Sequence, residues 1–148
     1  MQVEKGAHCQ YQIRYHIVWG VKYRRKLLFG ERIRYLKHTL YEIAARYEYT
    51  IEAVGTDDDH VHVFAGAHPA VPPAQLIQVL KSISAKELFR EYPEIKRFLW
   101  GGAFWSIGYY VRTVSDGPLE DVIKTYVENQ GKKSNALNKR SYQLELVA

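Results

Sequence analysis

Two stretches of the chain carry side chains whose types and spacing could do chemistry together. The first is Asp57-Asp58-Asp59-His60-Val61-His62-Val63-Phe64, in which three acids lead into an apolar run with two histidines two apart. In a β-strand, residues i and i+2 point to the same face. His60 and His62 would therefore lie side by side with Phe64 beyond them, and Val61, Val63 and Ala65 would face a core. Two imidazoles held in parallel make half of a metal site. By themselves they read equally well as two unrelated histidines on the polar face of a strand. The second stretch is Lys124-Thr125-Tyr126-Val127-Glu128-Asn129-Gln130. On a helix, Tyr126 and Gln130 are i and i+4 and share a face. Gln130 offers a neutral oxygen to a metal, and Tyr126 offers a hydroxyl able to attack phosphorus. A tyrosine at such a position is more often buried packing area than a nucleophile. Glu128 reads as a solvated helix residue.

These residues need a scaffold, and the patterning supplies one. Tyr11, Ile13, Tyr15, Ile17 and Trp19 alternate with Gln12, Arg14, His16 and Val18, a period of two that predicts a strand from Tyr11 to Trp19 ended by Gly20. Lys22-Tyr23-Arg24-Arg25-Lys26 follows. This density of cations suits phosphate contacts, and the tyrosine among them could stack on a base; the plainer alternative is a solvated basic loop. Ile33, Leu36, Leu40, Ile43 and Tyr47 have the spacing of one face of a helix over about 31–47. A strand over 49–54 and a turn through Gly55 and the three acids lead into the histidine strand, 60–66, so the two strands form a hairpin. Pro69, Pro72 and Pro73 break the chain before a second helix over about 73–91, whose basic side carries Lys81, Lys86 and Arg90. A last strand is predicted over 104–114, with Gly108 marking a bulge or a crowded spot. Ser115-Asp116-Gly117-Pro118 signals entry into a third helix over 119–130, with Gly131 as its cap. The order strand, helix, strand, strand, helix, strand predicts an α+β fold: a ferredoxin-like βαββαβ sandwich with an antiparallel sheet, plus a C-terminal helix carrying Tyr126. In that arrangement the histidine strand is central.

Composition sets the remaining bounds. At 148 residues, with 47% hydrophobic and 25% charged residues, the chain suits one soluble domain over 1–148, with a core over about 9–131 and a basic tail over 132–148. No stretch approaches the roughly 18 apolar residues of a membrane span, and no signal-peptide core is visible at the N-terminus. The single cysteine, Cys9, rules out a disulfide within the chain, so cytoplasm is the expected location. A net charge of +5 and a pI near 9.2 favour a polyanionic partner.

Taken together, the stretches resemble the small single-tyrosine HUH transposases of the insertion-sequence 200/605 type. The resemblance runs through Tyr15-His16-Ile17-Val18-Trp19 with the basic stretch after it, Asp59-His60-Val61-His62, Lys81-Ser82-Ile83-Ser84-Ala85-Lys86-Glu87-Leu88-Phe89, Trp100-Gly101-Gly102-Ala103-Phe104-Trp105-Ser106, and Ile123 to Gln130. H-x-H alone is a weak signal; H-x-H, W-G-G and a Y-x-x-x-Q helix in that order are a specific one. Ser82 departs from a usual glycine, and Ala103-Phe104 from the commoner His-Leu. Neither position carries the chemistry.

The resemblance implies that His60, His62 and Gln130 hold Mg²⁺ or Mn²⁺ and that Tyr126 is the nucleophile forming a 5′-phosphotyrosine bond. It also implies a homodimer acting on single-stranded DNA with hairpin ends, each site pairing the histidines of one subunit with the tyrosine helix of the other, and no membrane partner. Gly117 is a candidate hinge for that helix. Arg14, Lys22, Arg24, Arg25, Lys81, Lys86, Lys132 and Lys133 are candidates for phosphate contacts. Three other readings compete: a domesticated relative that processes chromosomal hairpin repeats, a ferredoxin-like nucleic-acid-binding module without catalysis, and a metal hydrolase using water. The binding module leaves the paired histidines and the Tyr126/Gln130 spacing as accident, since base-stacking sheets need none of them.

Overall fold

In the computed structural model of the chain, the described residues are 2–115 and 118–130. The hinge candidate Gly117, the cap candidate Gly131, and Lys132 and Lys133 of the basic tail lie outside them. A two-stranded hairpin of β1 (Glu4–Lys5) and β2 (Gln10–Tyr11) precedes β3 (Tyr15–Gly20), α1 (Glu31–Tyr47), β4 (Thr50–Thr56), β5 (His60–Gly66), α2 (Pro73–Glu91), β6 (Tyr110–Thr113) and α3 (Pro118–Glu128). The four longer strands form one antiparallel sheet in the order β4-β5-β3-β6. Two central strands flanked by the second and fourth give the ferredoxin-like α+β arrangement that the patterning predicts.

Strand alternation sorts the sheet into two faces. Ile17, Trp19, Val61, Val63 and Ala65 point into the main core, where they meet Leu36, Leu40 and Ile43 of α1 and Leu76, Ile77, Leu80 and Leu88 of α2. The opposite face carries Phe64 and Ala53, which pack with Val114 and with Ile123, Tyr126 and Val127 of α3. An isolated helix of eleven residues is marginal in water. Burying side chains such as Ile123 and Val127, at about 1.5–3 kcal/mol each, holds it to the sheet.

The first two helices end where their sequences predict, whereas α3 ends at Glu128, short of the predicted 130, which leaves Gln130 in the turn after it. Glu48 takes a left-handed conformation that closes α1, and Tyr49 N–H returns to the Ala44 carbonyl at 2.9 Å. Pro73 occupies the first turn of α2, where a missing N–H costs nothing. Ser84, on the buried side of α2, accepts the indole N–H of Trp105 at 3.0 Å.

Three further expectations are corrected. The first long strand begins at Tyr15, not Tyr11, because Tyr11 pairs with Glu4 in the separate hairpin. The last strand is confined to Tyr110–Thr113. Before it, Trp105 makes a single bridge to Val21, and the Lys81 ammonium donates to the carbonyls of Ser106, Ile107 and Gly108 at 2.6–3.2 Å. Among the described residues Gly108 is neither bulged nor crowded: a Cβ there would meet none of their atoms within 4 Å. The register irregularity of the sheet falls in β4, between Ile51 and Ala53.

Candidate active site

The face of the sheet beneath α3 gathers the groups singled out for chemistry. His60 and His62 project from β5 with ring centroids 5.0 Å apart. The Tyr126 ring stands edge-on to His62 at 5.5 Å and is 7% exposed. Gln130 lies in the turn just past the end of α3, its N–H donating to the Val127 carbonyl at 3.2 Å, and is 6% exposed. It is placed by Gly55, the register partner of His62 on β4. A Cβ built on Gly55 would fall on the Val127 carbonyl oxygen and 2.9 Å from the Gln130 Cβ. Only a glycine lets the end of α3 lie this close to the strand. Gly55→Ala should therefore lift the end of α3, and a displacement of about 1 Å at a reacting group costs on the order of 100-fold in rate. Single-turnover cleavage of DNA by Gly55→Ala, beside an unchanged far-ultraviolet circular dichroism spectrum, checks this.

Each histidine has one ring nitrogen already engaged. His60 Nδ1 meets Asp59 Oδ1 at 2.6 Å, and Asp59 is held in turn by Arg24 at 3.3 Å. Burial pushes the Asp59 carboxyl up, but the hydrogen bond and charge of His60, with the Arg24 guanidinium, outweigh it and hold the group below its usual range. His62 Nδ1 lies 3.1 Å from His16 Nε2 on β3. Tying Nδ1 to a neighbour leaves Nε2 as the ligand position, which is how metal-binding histidines are commonly oriented.

His16 is the residue that sequence reasoning missed. Alternation reads it as a polar strand position and the resemblance includes it without a role, yet it is fully buried, stacks on His62 with centroids 5.3 Å apart and lies 6.1 Å from the Tyr126 ring. Burial, and then the charge of Arg112, lower its pKa to about 4. Burial, followed by the charges of His60 and His16, also takes His62 well below its ordinary value. The unfolded chain binds a proton at His16 below about pH 6.5, whereas the folded chain refuses it until about pH 4. Stability should fall as pH drops through that window, by about 3 kcal/mol from this one group in metal-free protein. Denaturant melts of wild type and His16→Gln between pH 7 and 4 check this, with the variant showing the shallower loss.

The donor set fits a divalent cation. Among the described residues His60 Nε2 has no hydrogen-bond partner, and Asp57 Oδ2 lies 3.7 Å from it. Neither the amide oxygen nor the amide nitrogen of buried Gln130 has one among the described residues. Leaving such groups unpaired in a protein interior is costly unless a ligand satisfies them. Asp57, Asp59 and His60 form a second possible set, with ligand atoms all within 4.8 Å of one another. The run of acids was visible in the sequence as a turn; its approach to His60 was not.

The candidate phosphate contacts separate on inspection. Lys22, Arg24 and Arg25 sit on the loop leaving β3, with Arg25 exposed, and Lys86 is exposed on α2. Lys81 is half-buried, and its bonds to the carbonyls of 106–108 make it a support for that segment. Arg14 is a correction. It is 2% exposed and pairs with Glu52 at 3.0 Å and Glu4 at 3.4 Å, so its charge is spent within the protein and does not face a DNA backbone. The two departures from the family pattern are also placed: Ser82 is exposed on α2, and Phe104 is buried against Trp105 and Phe89.

A family model described as Transposase IS200 like matches residues 9–130, which span every long strand, all three helices and the site. The chain belongs to this family. It is 36% identical over 133 residues to the ISDra2 transposase TnpA of Deinococcus radiodurans, covering 90% of this chain and 94% of that one. It is 29% identical to the transposase for insertion sequence element IS200 of Salmonella typhimurium, covering 82% of each. A crystal structure of a Deinococcus radiodurans chain assigned as a transposase superposes with a TM-score of 0.70 at 34% identity, covering 86% of this chain and 98% of that one. The REP-associated tyrosine transposase, solved bound to a REP hairpin, shares the fold with a TM-score of 0.55 at 11% identity, covering 83% of this chain and 70% of that one. No helix among the described residues is long and apolar enough to cross a membrane.

Proposed function

We propose that this transposase cleaves and rejoins single-stranded DNA at hairpin-flanked element ends, with Tyr126 as nucleophile and a divalent cation, Mg²⁺ or Mn²⁺, held by His60, His62 and Gln130. The observation that carries the reading is the placement of the Tyr126 ring over His62, on the one sheet face that also holds His60 and, through Gly55, Gln130. A cation bound there would polarise the scissile phosphate and offset charge developing on it. The α3 helix presents the Tyr126 oxygen to phosphorus. A bond from that oxygen to phosphorus forms as the bond to the 3′ oxygen breaks, and the phenolic proton is balanced by the proton the 3′ oxygen gains. The 5′-phosphotyrosine keeps the phosphodiester energy, so a second 3′-hydroxyl can displace Tyr126 and join a new strand. Packing against Phe64, Val114, Ile123 and Val127 keeps the phenol in a drier environment than an exposed loop would. The DNA substrate places this reaction in the cytoplasm.

The test is a denaturing gel for covalent protein–DNA adduct, using oligonucleotides that carry the hairpins flanking the gene. Adduct with Mn²⁺ and none with chelator supports the reading. Tight binding of that DNA with no cutting under any metal would favour a binding module. A domesticated role differs in gene neighbourhood, not in chemistry.

The protein is proposed to act as a homodimer with sites shared between subunits. In this structure α3 seats on its own sheet, and the Gly55 seat would accept a partner's α3 through the same contacts. Mixing Tyr126→Phe protein with His60→Ala/His62→Ala protein should then restore cleavage that neither has alone. A mixture as inactive as its components would mean that each site is built within one chain.

A further inference from the structure

We infer that Tyr23 and Trp100 form a stacking platform for an unpaired nucleobase of the DNA strand entering the site, an inference that rests on the single-stranded DNA reading above. The two aromatics come from distant segments and meet at the surface. Their centroids are 5.5 Å apart, and the rings are tilted by 46° rather than closed on one another. Tyr23 is 54% exposed and Trp100 76%. Large apolar rings left in water at this level, beside each other, have area to offer a flat π-faced ligand.

The backbone is shaped to present them. Four non-glycine residues among those described have left-handed φ, and three are Tyr23, Arg24 and Trp100, at 60°, 53° and 52°. Each such conformation costs on the order of 1 kcal/mol or more, and costs of this kind cluster at functional sites. The two segments are bound to each other. Lys22 N–H donates to the Phe104 carbonyl at 2.9 Å, and a Cβ on Gly102 would lie 3.3 Å from the Lys22 ammonium.

The surroundings select the ligand class. The Lys22 ammonium is 5.4 Å from the Tyr23 ring centroid, and Arg25, Lys26, Lys96 and Arg97 are exposed in the two segments that supply the rings. Aromatic faces interleaved with cations are what single strands use, stacking on the rings and laying phosphates along the charges. A paired duplex keeps its base faces covered. The residue next to Tyr23 links this segment to the site: Arg24 reaches Asp59 at 3.3 Å, and Asp59 holds the His60 imidazole. A base stacked on Tyr23 and Trp100 would thus lie on the strand running to the phosphate at His60 and His62.

The test measures binding of two labelled probes: a hairpin from the DNA flanking the gene with single-stranded arms on both ends, and the same hairpin blunt. Trp100→Ala and Tyr23→Ala are each expected to weaken binding of the armed hairpin about tenfold and to leave the blunt one unchanged. The salt dependence should keep its slope, since no cation is removed, and Trp100→Phe should recover part of the loss. Emission from exposed Trp100 should be quenched by the armed probe in wild type, a signal absent in Trp100→Ala because Trp19 and Trp105 are buried. Unchanged affinity for the armed hairpin in both alanine variants overturns the platform. So does a loss that is equal for both probes, or one accompanied by a change of oligomeric state, which would make the aromatics a protein interface. A wild type that binds neither probe removes the single-stranded DNA reading itself, and the platform with it.

Discussion

Tyr126→Phe should fold like wild type, bind the same DNA and form no covalent adduct, with cleavage reduced by a factor on the order of 10⁴ or more, as for loss of a nucleophile elsewhere. The substitution removes one oxygen and leaves the packing in place. The ring is buried with Phe64, Ile123 and Val127 and stands edge-on to His62 and His16, with centroids 5.5 and 6.1 Å away. The loss of packing is therefore small, and any fall in rate reports the hydroxyl. The measurement is the adduct gel together with a melting temperature. Cleavage surviving in Tyr126→Phe at near wild-type rate would assign the attack to water and make this a metal hydrolase; adduct at wild-type level would move the nucleophile to another tyrosine.

Much of this site was legible before the fold was known, for reasons of period. The alternation across His60–Ala65 placed the imidazoles on one face and Val61, Val63 and Ala65 on the other, because a strand has no freedom to do otherwise. The spacing of apolar residues gave α1 and α2 their observed spans, 31–47 and 73–91. What could not be read depended on register or on distant partners. His16 bonds His62 across 46 residues, and only the pairing of β3 with β5 brings the two rings together. Arg14 looked like a surface cation because its acids are 10 and 38 residues away. Gly55 looked like a turn residue; its role as the seat of α3 follows from a helix more than 60 residues later in the chain. Lys81 likewise appeared as part of a basic helix face, and its carbonyl partners at 106–108 became visible only with the loop in place. Periodicity assigns faces, whereas contacts between faces need the tertiary structure.

The double substitution His60→Ala/His62→Ala should abolish Mn²⁺ binding, readable by electron paramagnetic resonance, and lower cleavage on the order of 10⁴-fold while leaving DNA affinity nearly intact. The scale follows from losing charge stabilisation at a phosphate, which supplies several kcal/mol of the barrier reduction, each 1.4 kcal/mol being tenfold. The stability effect has two opposed parts. Emptying two fully buried positions leaves cavities and strips His16 Nε2 of its partner. Against this, the variant no longer has to keep His62 neutral as pH falls, so part of its stability deficit should close between neutral and acid pH. Single substitutions then separate the two possible ligand sets. If Gln130 completes the site, Gln130→Ala weakens Mn²⁺ binding more than Asp57→Asn does. If the acids hold the ion with His60, the order reverses, and His62→Ala costs less affinity than His60→Ala. The geometry favours the first order: Asp59 is already committed to the His60 Nδ1 proton and to Arg24, whereas among the described residues neither the Gln130 amide oxygen nor His60 Nε2 has a hydrogen-bond partner, which leaves both to meet a cation.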